Sequence, residues 1–317
     1  MPLTVPLTTG ATALNPKFNP PTKAVPSAAN FNLFFKSKYI FTCLKIILSY
    51  YNDNESQMII NHGVRGSIPN PSYQTLGYGG NTPCVEIKTK KYQLIFDCGS
   101  GFSKVKLSDN RQTIIFISHF HHDHIQGLAF NSYNSELNKK IIFTSAHSNT
   151  ETTYKNLSNY YDNPYFPVNF IEMINKLEFL EFKDVVSKFN DLEICTINLN
   201  HPGNCSGYSI VSEQKKFCYL LDNEYEDSQE KEMVKFCDNS DTVIWDGMYL
   251  DSELLDKKGW GHSSIEQGVI LADKIDVKNF LISHHAPFRE DDEIKKIEKN
   301  FSNNKVKFAS ENEVINF

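Results

Sequence analysis

The chain has 317 residues, enough to bury a full core in one large domain and leave an extension, with apolar and charged fractions ordinary for a soluble globule. Its net charge of −6, from 38 acidic and 32 basic residues, argues against a polyanion-binding surface, so nucleic acid is not the expected partner. Seven cysteines with no CxxC pair, and no apolar run long enough to span a bilayer, exclude a disulfide scaffold and a membrane protein and point to a reducing, cytoplasmic compartment.

Residues 1–57 read as an N-terminal extension, disordered or targeting. Residues 1–29 are rich in Pro, Thr, Ala and Asn and have neither a helix nor a strand period. No acidic residue precedes Asp53, whereas Lys17, Lys23, Lys36, Lys38 and Lys45 do, so organelle targeting by this stretch stays open. Residues 58–317 read as the folded domain. Strands are predicted at Val85–Lys88, Tyr92–Phe96, Thr113–Ile117, Ile141–Thr144, Leu192–Leu199, Tyr208–Val211, Phe217–Leu221, Thr242–Trp245 and Phe280–Ser283. Helical patterns lie at Gln229–Cys237, Ser264–Lys274 and Asp291–Asn300, with Ser264 as a cap for the second. Tyr161–Pro167 is an aromatic loop. The mixture of strands and helices indicates an α/β (α+β) domain.

The densest chemistry follows the strand Thr113–Ile117. Ser118-His119-Phe120-His121-His122-Asp123-His124 sets three histidines and an aspartate within reach of two metal ions. Side chains alternate on an extended chain, so His119 and His121 project together and His122 away from them. Later strand ends supply further candidates: His201 after Leu199, Asp222 after Leu221, and His284 after Ser283 with His285 as a weaker alternative. His62 and His147 are read as structural or solvent-facing.

The HxHxDH run resembles the signature of the metallo-β-lactamase fold, with Asp97-x-Gly99 resembling its first motif and His201, Asp222 and His284 its later ones. The resemblance extends from about Ile59 to the C-terminus and implies an αββα sandwich. It implies that His119, His121 and His201 hold one divalent cation, that Asp123, His124 and His284 hold a second, and that Asp222 bridges them. Zinc is the default metal for such a set, with Mn2+ or Fe2+ as alternatives. An aspartate at the bridging position favours the phosphodiesterase branch of the fold. The segments Gly63–Pro69, Tyr78–Thr82, Tyr165–Val168 and Gly259–Ser263 are similar to the anti-Pycsar cyclic-nucleotide phosphodiesterases, with phosphoribosyl cyclic phosphodiesterases and ribonuclease Z as near relatives. The implied activity is hydrolysis of 3′,5′-cyclic nucleotides by a homodimer. A ribonuclease Z-like tRNA 3′-processing nuclease and a non-catalytic nucleotide-binding module are the alternatives.

In that scheme Asp123 accepts a hydrogen bond from the nucleophile and His262 protonates the leaving oxygen. Trp260 either stacks on a base or packs, and Arg65 either binds phosphate or braces its glycine loop. Together with Asn81 they form the expected substrate-binding set. Tyr161, Tyr165 and Phe166 either line a base pocket or pack a core or dimer.

Overall fold

In a computed structural model, residues 57–131 and 138–316 are described. Residues 1–56, which include Cys43 and all of the expected extension except Gln57, lie outside them. Among the described residues thirteen strands occur in the order β1 (Met58–Gly63), β2 (Cys84–Lys88), β3 (Tyr92–Phe96), β4 (Gln112–Ile117), β5 (Ile141–Ser145), β6 (Leu177–Phe179), β7 (Glu193–Leu199), β8 (Cys205–Ser212), β9 (Lys215–Leu220), β10 (Ser240–Asp246), β11 (Val277–Ser283), β12 (Val306–Phe308) and β13 (Val314–Asn316). They form two sheets, ordered β13-β1-β2-β3-β4-β5-β6 and β12-β11-β10-β9-β8-β7.

The hydrophobic pattern explains the layering. β4 is apolar through its interior because both of its faces are covered, the usual condition of a central parallel strand. One core lies between the sheets and includes Phe96, Phe116, Tyr208, Phe217 and Tyr219. A second joins β9, β10 and β11 to the helices Glu230–Cys237, Ile265–Lys274 and Asp291–Phe301 through Cys218, Met233, Trp245, Leu271 and Ile294. A third joins β3, β4 and β5 to the helix Thr150–Tyr160 through Ile95, Ile115, Phe143 and Leu157. Helix, sheet, sheet and helix therefore stack as the expected αββα sandwich.

Pairing direction sets the position of the site. β3, β4, β5 and β6 run parallel, as do β9, β10, β11 and β12. The carboxyl ends of both parallel sets, and the loops leaving them, are where ligand-carrying residues gather in open sheets of this kind. Helix Ile265–Lys274 starts where the sequence predicts: Ser264 Oγ accepts from Gln267 N at 3.0 Å, and Gln267 Oε1 accepts from Ser264 N at 2.9 Å. Among the described residues no helix is long and apolar enough to cross a membrane.

Candidate metal centre

The loops after β4, β7, β9 and β11 bring together all seven residues expected to ligate metal. His119, His121, His201 and Asp222 place ligand atoms within 4.8 Å of one another, as do Asp123, His124, Asp222 and His284. Asp222 belongs to both groups. Its Oδ2 lies 3.5 Å from Nε2 of His119 and of His201, and its Oδ1 lies 3.1 Å from His124 Nε2 and 3.3 Å from His284 Nε2. His201 Nε2 also stands 2.9 Å from His121 Nδ1.

The chemistry of this set calls for cations. Asp97 Oδ2 lies 2.7 Å from His124 Nδ1, so the carboxylate accepts a hydrogen bond from Nδ1–H and leaves Nε2 toward Asp222 and Asp123. The Gly261 carbonyl accepts from His201 Nδ1 at 2.8 Å and fixes that ring in the same tautomer. His119 Nε2, His124 Nε2, Asp222 Oδ1 and both nitrogens of His284 are buried without a hydrogen-bond partner. Each such orphan costs about 1–3 kcal/mol, and a divalent ion satisfies several at once. Burial holds His119 well below the ordinary histidine range, and it lowers His121 and His201 too, so these rings are neutral and have lone pairs to offer. Burial also opposes charge on His124, but Asp222, Asp123 and Asp97 override it and drive that ring well above the ordinary range. These carboxylates demand a positive charge, which a metal ion supplies. Burial raises Asp123, yet His124 reverses this and brings it to about 2. The donor set therefore fits divalent metal.

The surroundings hold these groups in place. Asp97 also accepts from Ser118 N and Ser118 Oγ, each at 2.7 Å, and from the Tyr219 hydroxyl at 2.8 Å. Ser67 N donates to Asp123 Oδ2 at 2.8 Å. Asp97, Asp222 and His284 follow the ends of their strands with φ of 60°, 63° and 59°, a left-handed backbone that non-glycine residues seldom adopt. Gly261 has φ of 83°, and a Cβ there would come within 2.0 Å of His201 Nδ1, so glycine is required for its carbonyl to reach that ring.

His262 sits beside this cluster, its ring stacked on His284 at 5.1 Å and near His201 at 5.4 Å. Asp246 Oδ2 accepts a hydrogen bond from its Nδ1–H at 2.9 Å. Burial lowers His262, but Asp246 outweighs it and lifts the ring to about 9. Asp246 was missed in the sequence, although it ends β10 by the same strand-end logic that found Asp222 and His284.

The expected substrate-binding residues separate. Arg65 is corrected: its guanidinium is fully buried and donates to the carbonyls of Gly79, Ala286 and Arg289, so it braces the loop and no substrate reaches it. Asn81 holds Glu311 through Nδ2 and accepts from Ser100 Oγ, and it borders an aromatic cleft rather than the cluster. Trp260 is 56% exposed, with the Lys257 ammonium 4.2 Å from its ring centre. His285 turns away from the cluster, its Nε2 2.9 Å from the Ala309 carbonyl, and burial brings it down to about 3. His122 bonds the Tyr160 hydroxyl outside the cluster. His62 pairs with Glu86, and His147 with Ser145.

The sequence model of the family described as "Beta-lactamase superfamily domain" matches residues 92–285. Ribonuclease Z of Thermococcus onnurineus is 29% identical over 161 residues, which cover 46% of this chain and 48% of that protein, so the chain spans about half the length of this curated relative. Among solved structures, YhfI of Bacillus subtilis, a metallo-β-lactamase fold protein, superposes with a TM-score of 0.63 at 19% identity, covering 83% of this chain and all of that one. The short form of human tRNase Z superposes with a TM-score of 0.57 at 18% identity, covering 81% of this chain and 98% of that one. Likeness at these identities speaks for the fold.

Proposed function

This chain belongs to the β-lactamase superfamily and is a hydrolase of that fold, and from this premise we propose that it is a metal-dependent phosphodiesterase opening 3′,5′-cyclic nucleotides to linear nucleoside monophosphates. The observation that carries the reading is Asp222, one buried carboxylate whose two oxygens face two imidazole-rich groups. His119, His121 and His201 would hold one divalent ion and Asp123, His124 and His284 a second, with Asp222 shared between the groups, and such ions would supply a hydroxide-like nucleophile at neutral pH and polarise phosphoryl oxygens.

The remaining work falls to side chains. Asp123, its Oδ2 held by the Ser67 amide, accepts a hydrogen bond from the nucleophile and aims it. Asp246 holds the Nδ1 proton of His262 and leaves the ring's Nε2 to hand a proton to the departing ribose oxygen. His262 also borders a cleft of about 300 Å3 lined by Tyr225, Leu254 and Lys257. His262→Ala should lower turnover by about 10²–10⁴-fold while metal content, measured by elemental analysis, stays normal. Unchanged turnover would move the acid elsewhere. In the same reading the protein works in the cytoplasm as a homodimer.

A second reading, cleavage of tRNA precursors, draws support from the ribonuclease Z match. The net charge of −6 weighs against it, because long polyanions are held chiefly by phosphate contacts. Incubating the full chain, loaded with zinc or manganese, with cyclic mononucleotides and with precursor tRNA separates the two. Linear nucleotide and intact tRNA are expected, and the reverse pattern would replace the first reading with the second.

A further inference from the structure

A cleft of about 1060 Å3 lies against the helix His122–Ile125, on the opposite side of this turn from the ligands Asp123 and His124. We propose that this cleft is a nucleobase-binding site. The proposal rests on the phosphodiesterase reading for the source of the base, and its test does not depend on turnover.

Two features of its lining carry the assignment. Phe130 and Tyr165 are 64% and 82% exposed, and Phe166 packs edge-on to both Phe130, at 6.0 Å, and Tyr161, at 5.2 Å. Aromatic faces left in water beside a concavity are costly unless a ligand covers them, and a flat ring covers them best. His122, Gln126 and Asn159 add polar groups to the same cleft. Gln126 Nε2 is committed to Thr82 Oγ1 at 3.0 Å, which orients its Oε1 as an acceptor. His122 Nδ1 is committed to Tyr160, which leaves Nε2. An aliphatic chain or a lipid tail would strand these groups, whereas the edge of a base pairs with them while its faces stack. Among the described residues the lining contains no Lys, Arg, Asp or Glu, so the cleft suits the neutral ring of a nucleotide and not its phosphate.

The base can be that of the substrate or that of a second nucleotide held alongside it. Isothermal titration of the metal-stripped full chain with adenosine and with uridine, neither of which carries a phosphate, tests the site itself. Saturable binding is expected, weakened about tenfold or more in Tyr165→Ala and in Gln126→Ala at unchanged melting temperature. No saturable binding, or binding indifferent to both substitutions, overturns the proposal. With metal restored, competitive inhibition of cyclic-nucleotide hydrolysis by adenosine assigns the cleft to the substrate's own base, and non-competitive inhibition assigns it to a second nucleotide. Should the chain hydrolyse no cyclic nucleotide yet bind nucleosides in this way, the activity falls and the site stands.

Discussion

Asp123, His124, Asp222 and His284 are all buried, and His124 is tied through Asp97 to Ser118 and Tyr219. His119, His121 and His201 share Asp222 with them, but His121 is exposed, and its Nδ1 faces a single neighbouring ring nitrogen, that of His201. One half of the cluster is thus built into the core, and the other is completed by a side chain standing in solvent. Removing a group from the first half disturbs the fold as well as the metal, while removing the exposed His121 from the second disturbs the metal alone.

Three neighbouring histidines put this contrast to the test. His124→Ala should have the largest effect. It leaves the Asp97 and Asp222 carboxylates buried without their partner, a loss of about 3–5 kcal/mol, so the melting temperature should fall together with metal content and hydrolysis. An unchanged melting temperature would remove the distinction between the halves. His121→Ala should abolish hydrolysis and cost about one equivalent of metal by elemental analysis, with the melting temperature of the metal-free protein close to wild type. A fully active, metal-replete variant would take His121 out of the cluster. His122→Ala should have the smallest effect, leaving metal content unchanged because its ring bonds Tyr160 instead. Metal loss in this variant would place His122 among the ligands.

The fold was legible where hydrophobic period and strand ends coincide. β3 is predicted to the residue, and β4 starts only one residue earlier than expected. β8 and β10 are longer than predicted because Cys205-Ser206-Gly207 and Ser240-Asp241 are weak strand formers that pair only because their neighbours are already in place. The three-residue strands β6, β12 and β13 depend on the same tertiary pairing and leave no period to read. Helix Thr150–Tyr160 buries only Thr153 and Leu157 and so has no apolar stripe. Its one signal is Asn149, whose side chain caps Thr152 N at 2.8 Å. In the site, clustered motif residues and strand-end histidines could be read directly. Asp246 was open to the same strand-end logic, but its partner was not, because nothing local in Trp245-Asp246-Gly247 says that a histidine sixteen positions on will fold back onto it. Arg65 stayed between two roles in the sequence because an arginine beside Gly66 looks the same whether it faces an anion or a ring of carbonyls, and the structure shows the carbonyls.

The left-handed turns at Asp97, Asp222 and His284 stop three strands abruptly, and each of these side chains leaves the rim at the first residue or two beyond its ladder. Asp222 and His284 are thus placed by the ends of β9 and β11, the two strands that flank β10, whereas His119, His121, Asp123, His124 and His201 are placed by the course of the loops after β4 and β7. The sheet thus acts as a ruler for the shared carboxylate and one imidazole, and the loops after β4 and β7 must keep their course for the other five donors to meet them.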